Sequence, residues 1–303
     1  MSKKINLVNY KKEDFSNFSV FLIPKNKVNN LKRIKDTFSI KNELAEYIYD
    51  NKGPARINLD FDNQEFIGIF WALKNKSNKE KPLSIIFQKK RLLIFYPEEL
   101  FFIFKKLQMV KIKEQSSFFV SIISQIINEY IDRLTKLSDR ISHIHVSLKG
   151  KIEKKNLQNL TIINQEIIRL RFNISENNGA FSELETVFKT LKWFSIKSTL
   201  REKIRKLNLM RQRETNMANL LATNAQQLSD TYDRTINNNL NSIMRFLTVW
   251  SLIFAIPPII SGFYGMNIFL PLAKNPLAWL IILILTIILI IAFWVYLHNH
   301  NSA

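Results

Sequence analysis

The stretch LAWLIILILTIILIIAFWVYL, Leu277 to Leu297, decides the fold: 21 residues without a charge, enough for a helix to cross a hydrocarbon core about 30 Å thick. Just before it, FLTVWSLIFAIPPIISGF, Phe246 to Phe263, is a second uncharged run of 18 residues. It spans if its helix continues a little at each end. The two predict a C-terminal transmembrane hairpin. The N-terminus, MSKKINLVNYKKEDF, carries basic residues without an apolar run behind them, so it does not read as a secretory signal.

Of the 44 Lys and Arg, only Lys274 lies beyond Arg245, in the short connection between the spans. Positive residues mark the cytoplasmic side. The long N-terminal part and both termini are therefore expected in the cytosol, with the chain multi-pass in the cytoplasmic membrane. The net charge of +19 invites a nucleic-acid reading, but the basic residues are scattered and match no nucleic-acid motif. Positive charge also suits a domain beside anionic lipid, so the expected partners are the bilayer and copies of this chain, with no nucleic acid. There is no cysteine, hence no disulfide and no thiolate metal site.

Upstream of the spans, NELAEYIYD, Asn42 to Asp50, has helical spacing and stops at NKGP. RINLDFD, Arg56 to Asp62, and FIGIFWAL, Phe66 to Leu73, read as β-like runs, and LSIIFQKKRLLIFYP, Leu83 to Pro97, as two strands about a polar turn at Gln88 to Lys90. Past Pro97 no proline recurs until Pro257, so long helices dominate. Ser116 to Leu148 and Ile152 to Phe172 carry apolar residues at three- and four-residue intervals, as an antiparallel pair would. From about Ser198 one helix can run into the membrane as a stalk about 80–90 Å long. Leu200, Ile204, Leu207, Met210, Met217, Leu221 and Leu228 form its packing stripe.

The expected fold is an α+β cytosolic domain, then long helices, then a two-helix transmembrane hairpin. Its segments are an α/β domain at 1–112, an antiparallel helical region at 113–197 and a stalk at 198–245. A first span at 246–267, an external loop at 268–276, a second span at 277–297 and a cytosolic tail at 298–303 follow.

In steps of three and four from Asn241 come Met244, Thr248, Ser251, Ala255, Pro258, Gly262 and Gly265, almost all small or polar. The positions between them are mostly large and apolar. A spacing of 3.5 keeps one face toward an axis. Small residues also serve simply to let membrane helices approach closely. Backward from Asn241 the same line passes Asn237 and Arg234 to Asp230, extending hydrogen-bonding groups into the stalk, as a path for hydrated cargo would. One hairpin has no interior, so such a path needs several chains.

YGMN, Tyr264 to Asn267, closing the first of two C-terminal spans behind a long uninterrupted helix, resembles the CorA family of magnesium transporters. The resemblance extends to the whole architecture, more loosely at the N-terminus. It implies a funnel-shaped homopentameric channel whose selectivity filter is Gly265, Met266 and Asn267, with Asn267 holding the metal through its hydration water. It further implies an inner ring at Asn241, a hydrophobic constriction at Met244 and Leu247, an acidic metal-attracting ring at Asp230, and pore-facing glycines at Gly262 and Gly265. Thr248, Ser251, Ala255, Pro258 and Asn237 complete the pore line. The implied function is passive transport of Mg²⁺, with Co²⁺ or Ni²⁺ as further cargo, gated by intracellular Mg²⁺. Asp60 and Asp62 are candidates for the regulatory metal.

Amide oxygens suit the ion, which gives up water reluctantly. The sequence departs from the family in an acid-free loop carrying Lys274, in Ala255 where some members have a methionine, in Arg234 near the funnel, and in the tail HNHNSA, which lacks a basic cluster. Six dispersed glycines form no phosphate-binding loop. His143 and His145 point to different helix faces, His298 and His300 lack partners for a metal site, and no nucleophile–base set or organic-cofactor motif occurs, so no enzyme is expected. A Zn²⁺ transporter of the same superfamily and a non-conducting membrane-anchored scaffold stand as alternatives.

Overall fold

The computed structural model describes residues 11–15, 18–27, 31–48, 53–74, 79–107, 114–147, 154–191, 198–266 and 277–300. They fall into two units, residues 1–229 and 230–303.

The first unit is built on a six-stranded sheet: β1 Lys11–Phe15, β2 Phe18–Pro24, β3 Arg56–Asp60, β4 Glu65–Leu73, β5 Glu80–Gln88 and β6 Arg91–Tyr96. The spatial order is β1-β2-β6-β5-β4-β3. Only β2 and β6 run parallel, in the register Ser19 to Arg91 through Pro24 to Tyr96. Between them lie α1 Leu31–Phe38 and α2 Asn42–Ile48, followed by β3 to β5. A parallel pair needs such a long return.

The sheet is covered on both faces, which is why its central strands read as nearly continuous apolar runs rather than alternating ones. On one face Ile67, Ile69, Ile86, Leu93 and Phe95 pack with Ile34 and Phe38 of α1 and Leu44, Ala45 and Ile48 of α2. On the other, Phe66, Phe70 and Phe87 make ring contacts with Phe119, Phe181 and Phe188. Those come from α4 Gln115–Ser147 and α5 Lys154–Thr190, which follow a short helix α3 Phe101–Leu107. Successive residues of one strand, Phe66 and Ile67, therefore serve opposite cores, the period of two inherent in a pleated strand.

The expected turn at Gln88 to Lys90 is confirmed, with β5 pairing antiparallel to β6 from Gln88–Arg91 onward. The second long helix departs from expectation: it continues 18 residues past Phe172, through Gly179, to Thr190. A helical glycine costs roughly 1 kcal/mol relative to alanine. Burial of Phe181, Leu184 and Phe188 against the sheet offsets that cost. The turn expected between α4 and α5 lies outside the described residues. The two helices are tied by Arg133 and Arg140 on Glu166, which is only 3% exposed.

α6 runs unbroken from Ser198 to Tyr264, across the boundary between the units, and α7 spans Ala278–His300. Along the first half of α6, Leu200, Ile204, Leu207, Leu221 and Leu228 of the expected stripe are buried, joined by Ala218 and Ala225. Met210 and Met217 are half-buried. α7 carries helix through His298 to His300, so the expected tail begins as helix.

Candidate functional site

The candidate residues lie on α6. In the second unit its side chains, apolar ones included, are almost all exposed: Phe254 66%, Ile259 69%, with Ile253 a buried exception at 8%. α7 is likewise exposed along its apolar length, for example Ile288 at 56%. Water cannot be the neighbour of two such surfaces, and both helices are long and apolar enough to cross a membrane.

Asp230, Asn237, Asn241, Met244, Leu247, Thr248, Ser251, Ala255, Pro258, Gly262, Gly265 and Met266 are all exposed. Within one chain they form a line rather than a cluster. From Asn241 to Gly265 the line rises about 36 Å at 1.5 Å per residue. The Thr248 hydroxyl donates to the Met244 carbonyl at 2.8 Å, so its proton is committed to the helix and its oxygen remains an acceptor, the polarity that suits the hydrogens of a cation's water shell.

The glycines differ. A Cβ on Gly262 would meet nothing within 4 Å, so its own chain does not require glycine there. A Cβ on Gly265 would lie 3.3 Å from the Ser261 carbonyl oxygen. The Gly265 N–H donates to Ser261 O at 2.9 Å and to Gly262 O at 3.2 Å, and the Met266 N–H to Phe263 O at 3.4 Å, so the helix tightens as it ends. Pro257 and Pro258, inside the helix, lack the N–H groups that would pair with the carbonyls of Ile253 and Phe254. Asn267, the loop 268–276 and Lys274 lie outside the described residues.

Asp60 and Asp62 sit at the end of β3 beside a side chain the sequence did not single out. The Lys41 ammonium bonds Asp60 Oδ1 at 3.0 Å and Asp62 Oδ2 at 2.8 Å. Asp60 also accepts from the backbone N–H groups of Asp62 and Asn63 and from Asn63 Nδ2. Burial works to raise the Asp60 carboxyl, but these hydrogen bonds outweigh it and hold the group below its ordinary value. The two carboxylates raise Lys41 above its ordinary value. Glu65, 4% exposed, is shifted up by burial, against the opposing hydrogen bond from Gln88 Nε2 at 2.7 Å, and its Oε1 has no partner among the described residues. Among the described residues no three His, Cys, Asp or Glu side chains are grouped to hold a metal. With a tethered ammonium already between them, Asp60 and Asp62 do not fit a regulatory Mg²⁺, whose preferred shell is six oxygens.

A three-layer α/β unit followed by two apolar spans, the first with one face of small and polar groups, defines a two-span membrane protein. The chain belongs to the CorA-like Mg2+ transporter protein family, whose profile matches residues 21–299. That family comprises transporters, not enzymes.

Among curated proteins, the cobalt/magnesium transport protein CorA of Methanocaldococcus jannaschii is 23% identical over 180 residues, covering 58% of this chain and 55% of the relative. The match thus spans about half the length of that relative. In fold, the complete structure of the M. jannaschii CorA magnesium transporter superposes with a TM-score of 0.79 at 19% identity, over 94% of this chain and 92% of that one. The full-length CmaX protein follows at 0.75 and 14%, over 98% and 92%. The ZntB cytoplasmic domain of Vibrio parahaemolyticus gives 0.61 at 10%, over 74% and 90%.

Proposed function

We propose that this protein is a passive, channel-type transporter of Mg²⁺ across the cytoplasmic membrane, with Co²⁺ and Ni²⁺ as further cargo. Copies of the chain, five by the family resemblance, surround an axis with the line Asn241 to Gly265 facing inward. One observation carries the reading: α6 passes without a break into its span and presents small or polar residues on one face while large apolar residues occupy the remainder.

The residue roles are those the family resemblance implies, and the chemistry of the side chains suits them. Asn267 from every copy offers an amide oxygen to the hydrated ion at the outer mouth, with Gly265 and Met266 completing the filter. Neutral oxygens hold the water shell without trapping the ion. At the inner end Asn241 repeats that function, Met244 and Leu247 close the path by excluding water, and Asp230 concentrates cations below them. Entry down an inside-negative potential yields about 4.6 kcal/mol per 100 mV for a divalent ion, so no energy-coupling site is required. Both termini face the cytosol in this reading. Gating by intracellular Mg²⁺ belongs to it as well, with the sensing carboxylates outside the Lys41-held pair.

Flux into liposomes with competing cations is the test. Mg²⁺ conduction, with Co²⁺ and Ni²⁺ competing, supports the proposal. A preference for Zn²⁺ assigns the chain to the zinc-carrying reading, and no conduction of any divalent ion leaves a membrane-anchored scaffold.

A further inference from the structure

A groove of about 1010 Å³ opens between α5 and α6, wholly within the first unit, and no part of the transport reading uses it. Its wall contains two arginines, Arg171 and Arg211, and no Asp or Glu. Arg211 is half-buried, and its fork is committed to neutral oxygens. Nε donates to Asn178 Oδ1 at 2.8 Å, Nη1 to Asn208 Oδ1 at 3.0 Å, and Nη2 to the Asn178 carbonyl at 2.9 Å. A guanidinium has five N–H donors, so two remain. The guanidinium also lies 5.9 Å from the Phe181 ring centroid. Glu214, one helical turn further along α6, is 2% exposed and attracts Arg211 electrostatically without a hydrogen-bonded ion pair between them among the described residues, while its burial favours the neutral acid. Arg171 is exposed and has no ion pair among the described residues either. Arg211 is thus partly desolvated with two N–H donors to spare, a state that an anion relieves.

The rest of the lining narrows the class of anion. Phe172 is 63% exposed at the groove, an aromatic face with no ring contact among the described residues. Beside the apolar residues stand the amides of Asn208, Gln212 and Asn216 and the hydroxyl of Thr215. An acyl chain gains nothing from so many hydrogen-bonding groups, whereas a heterocycle uses both its face, on the ring, and its edge, on the amides. Arginine forks match phosphate oxygens. The volume lies at the upper end of the range typical of small-molecule sites.

We infer that the α5–α6 groove binds a nucleoside phosphate, its phosphates on Arg171 and Arg211 and its base on Phe172. The test is calorimetry on full-length detergent-solubilised protein, titrated with ATP in the presence of EDTA so that Mg²⁺ binding contributes no signal. Tripolyphosphate, adenosine and oleate serve as separate titrants. Saturable ATP binding is expected, tighter than tripolyphosphate or adenosine alone. Arg171→Gln should weaken it roughly tenfold, the loss of one charge-assisted contact. Phe172→Ala should weaken ATP but not tripolyphosphate. Asn216→Asp, which places a carboxylate in the groove, should also weaken ATP. Arg171, Phe172 and Asn216 are exposed, so the melting temperatures of these variants should match wild type.

Absence of saturable ATP binding overturns the inference. So does tripolyphosphate binding as tightly as ATP with Phe172→Ala unchanged, which is polyanion attraction to a basic chain, and so does saturation by oleate in place of ATP. None of these outcomes depends on whether the protein conducts ions.

Discussion

Gly262→Ala separates a pore-facing position from one that merely tolerates glycine. Within the chain the new methyl meets nothing within 4 Å. Replacing glycine by alanine in a helix favours the helix by roughly 1 kcal/mol, so the melting temperature of the variant should equal or exceed wild type. The effect on transport has the opposite sign. If the line faces an axis shared by the copies, each methyl projects about 1.5 Å further inward than the glycine backbone, and all copies do so at one level. A hydrated ion passing that ring loses at least one hydrogen bond of its water shell, at a cost of about 1–3 kcal/mol. At about 1.4 kcal/mol per factor of ten, Mg²⁺ flux should fall roughly 5- to 150-fold. The assay is dye-reported Mg²⁺ uptake into liposomes at matched protein content, with thermal melting of the same preparations. Gly262→Leu should abolish uptake, while Ile259→Val, on the exposed apolar flank, should leave it within about twofold. Wild-type flux through Gly262→Leu, with melting and incorporation unchanged, would show that this face does not line the path.

Asn267→Ala should abolish Mg²⁺ uptake while the oligomer elutes unchanged in size-exclusion chromatography; retained flux removes Asn267 from the filter. Lys41→Ala should lower the denaturant midpoint only slightly at neutral pH, because the pair it breaks is solvent-screened, Lys41 being 39% exposed in its pairing with Asp60. Added Mg²⁺ should not restore it, since two carboxylates supply too few oxygens; a Mg²⁺-dependent rise in melting temperature would reinstate Asp60 and Asp62 as a metal site. The two shifted carboxyls make opposite pH contributions. Asp60 is held below its ordinary 3.8, so its contribution is complete above that value and is lost as pH falls through the depressed one. Glu65 is raised above 4.5, so ionising it costs the fold stability as pH climbs from 4.5 through the raised value. Glu65→Gln should therefore gain in melting temperature relative to wild type as pH rises above 4.5; a difference that stays flat with pH contradicts the assigned burial effect.

Legibility in the sequence tracked how local the determining contacts are. The β5–β6 hairpin and α2 were readable because a polar turn and a Gly-Pro stop sit beside the residues they organise. β2, FSVFLIP, was not. Both its faces are covered, which removes the alternation that marks a half-buried strand, and its parallel partner β6 pairs Ser19 with Arg91, far along the chain. β1, KKEDF, is a polar edge strand with no apolar signal of its own. The helical pattern of α5 fades past Phe172 because a polar stretch and Gly179 follow, while the aromatic cluster that carries the helix onward belongs to β4, β5 and α4.

The same physics governs the candidate sites. On the first span a deviation is visible without a partner: in a segment that lipid fills with large apolar side chains, a 3.5-spaced line of Thr248, Ser251, Ala255, Pro258 and Gly262 stands out by subtraction. Asp60 and Asp62 carried the opposite signal. In the sequence they are two acids near a strand end, as a regulatory metal site would need. What decides their chemistry is Lys41, brought in by α2 and the sheet from 19 residues away. Arg211 and Asn178 are 33 residues apart and meet only because α5 and α6 lie together. A line repeated along one helix is encoded by that helix alone, whereas a site whose charge balance depends on a lysine or arginine from another element becomes defined only when both are packed. The Lys41 substitution therefore tests whether the pair is a sealed structural cap, just as the Gly262 substitution tests whether the line is an open path.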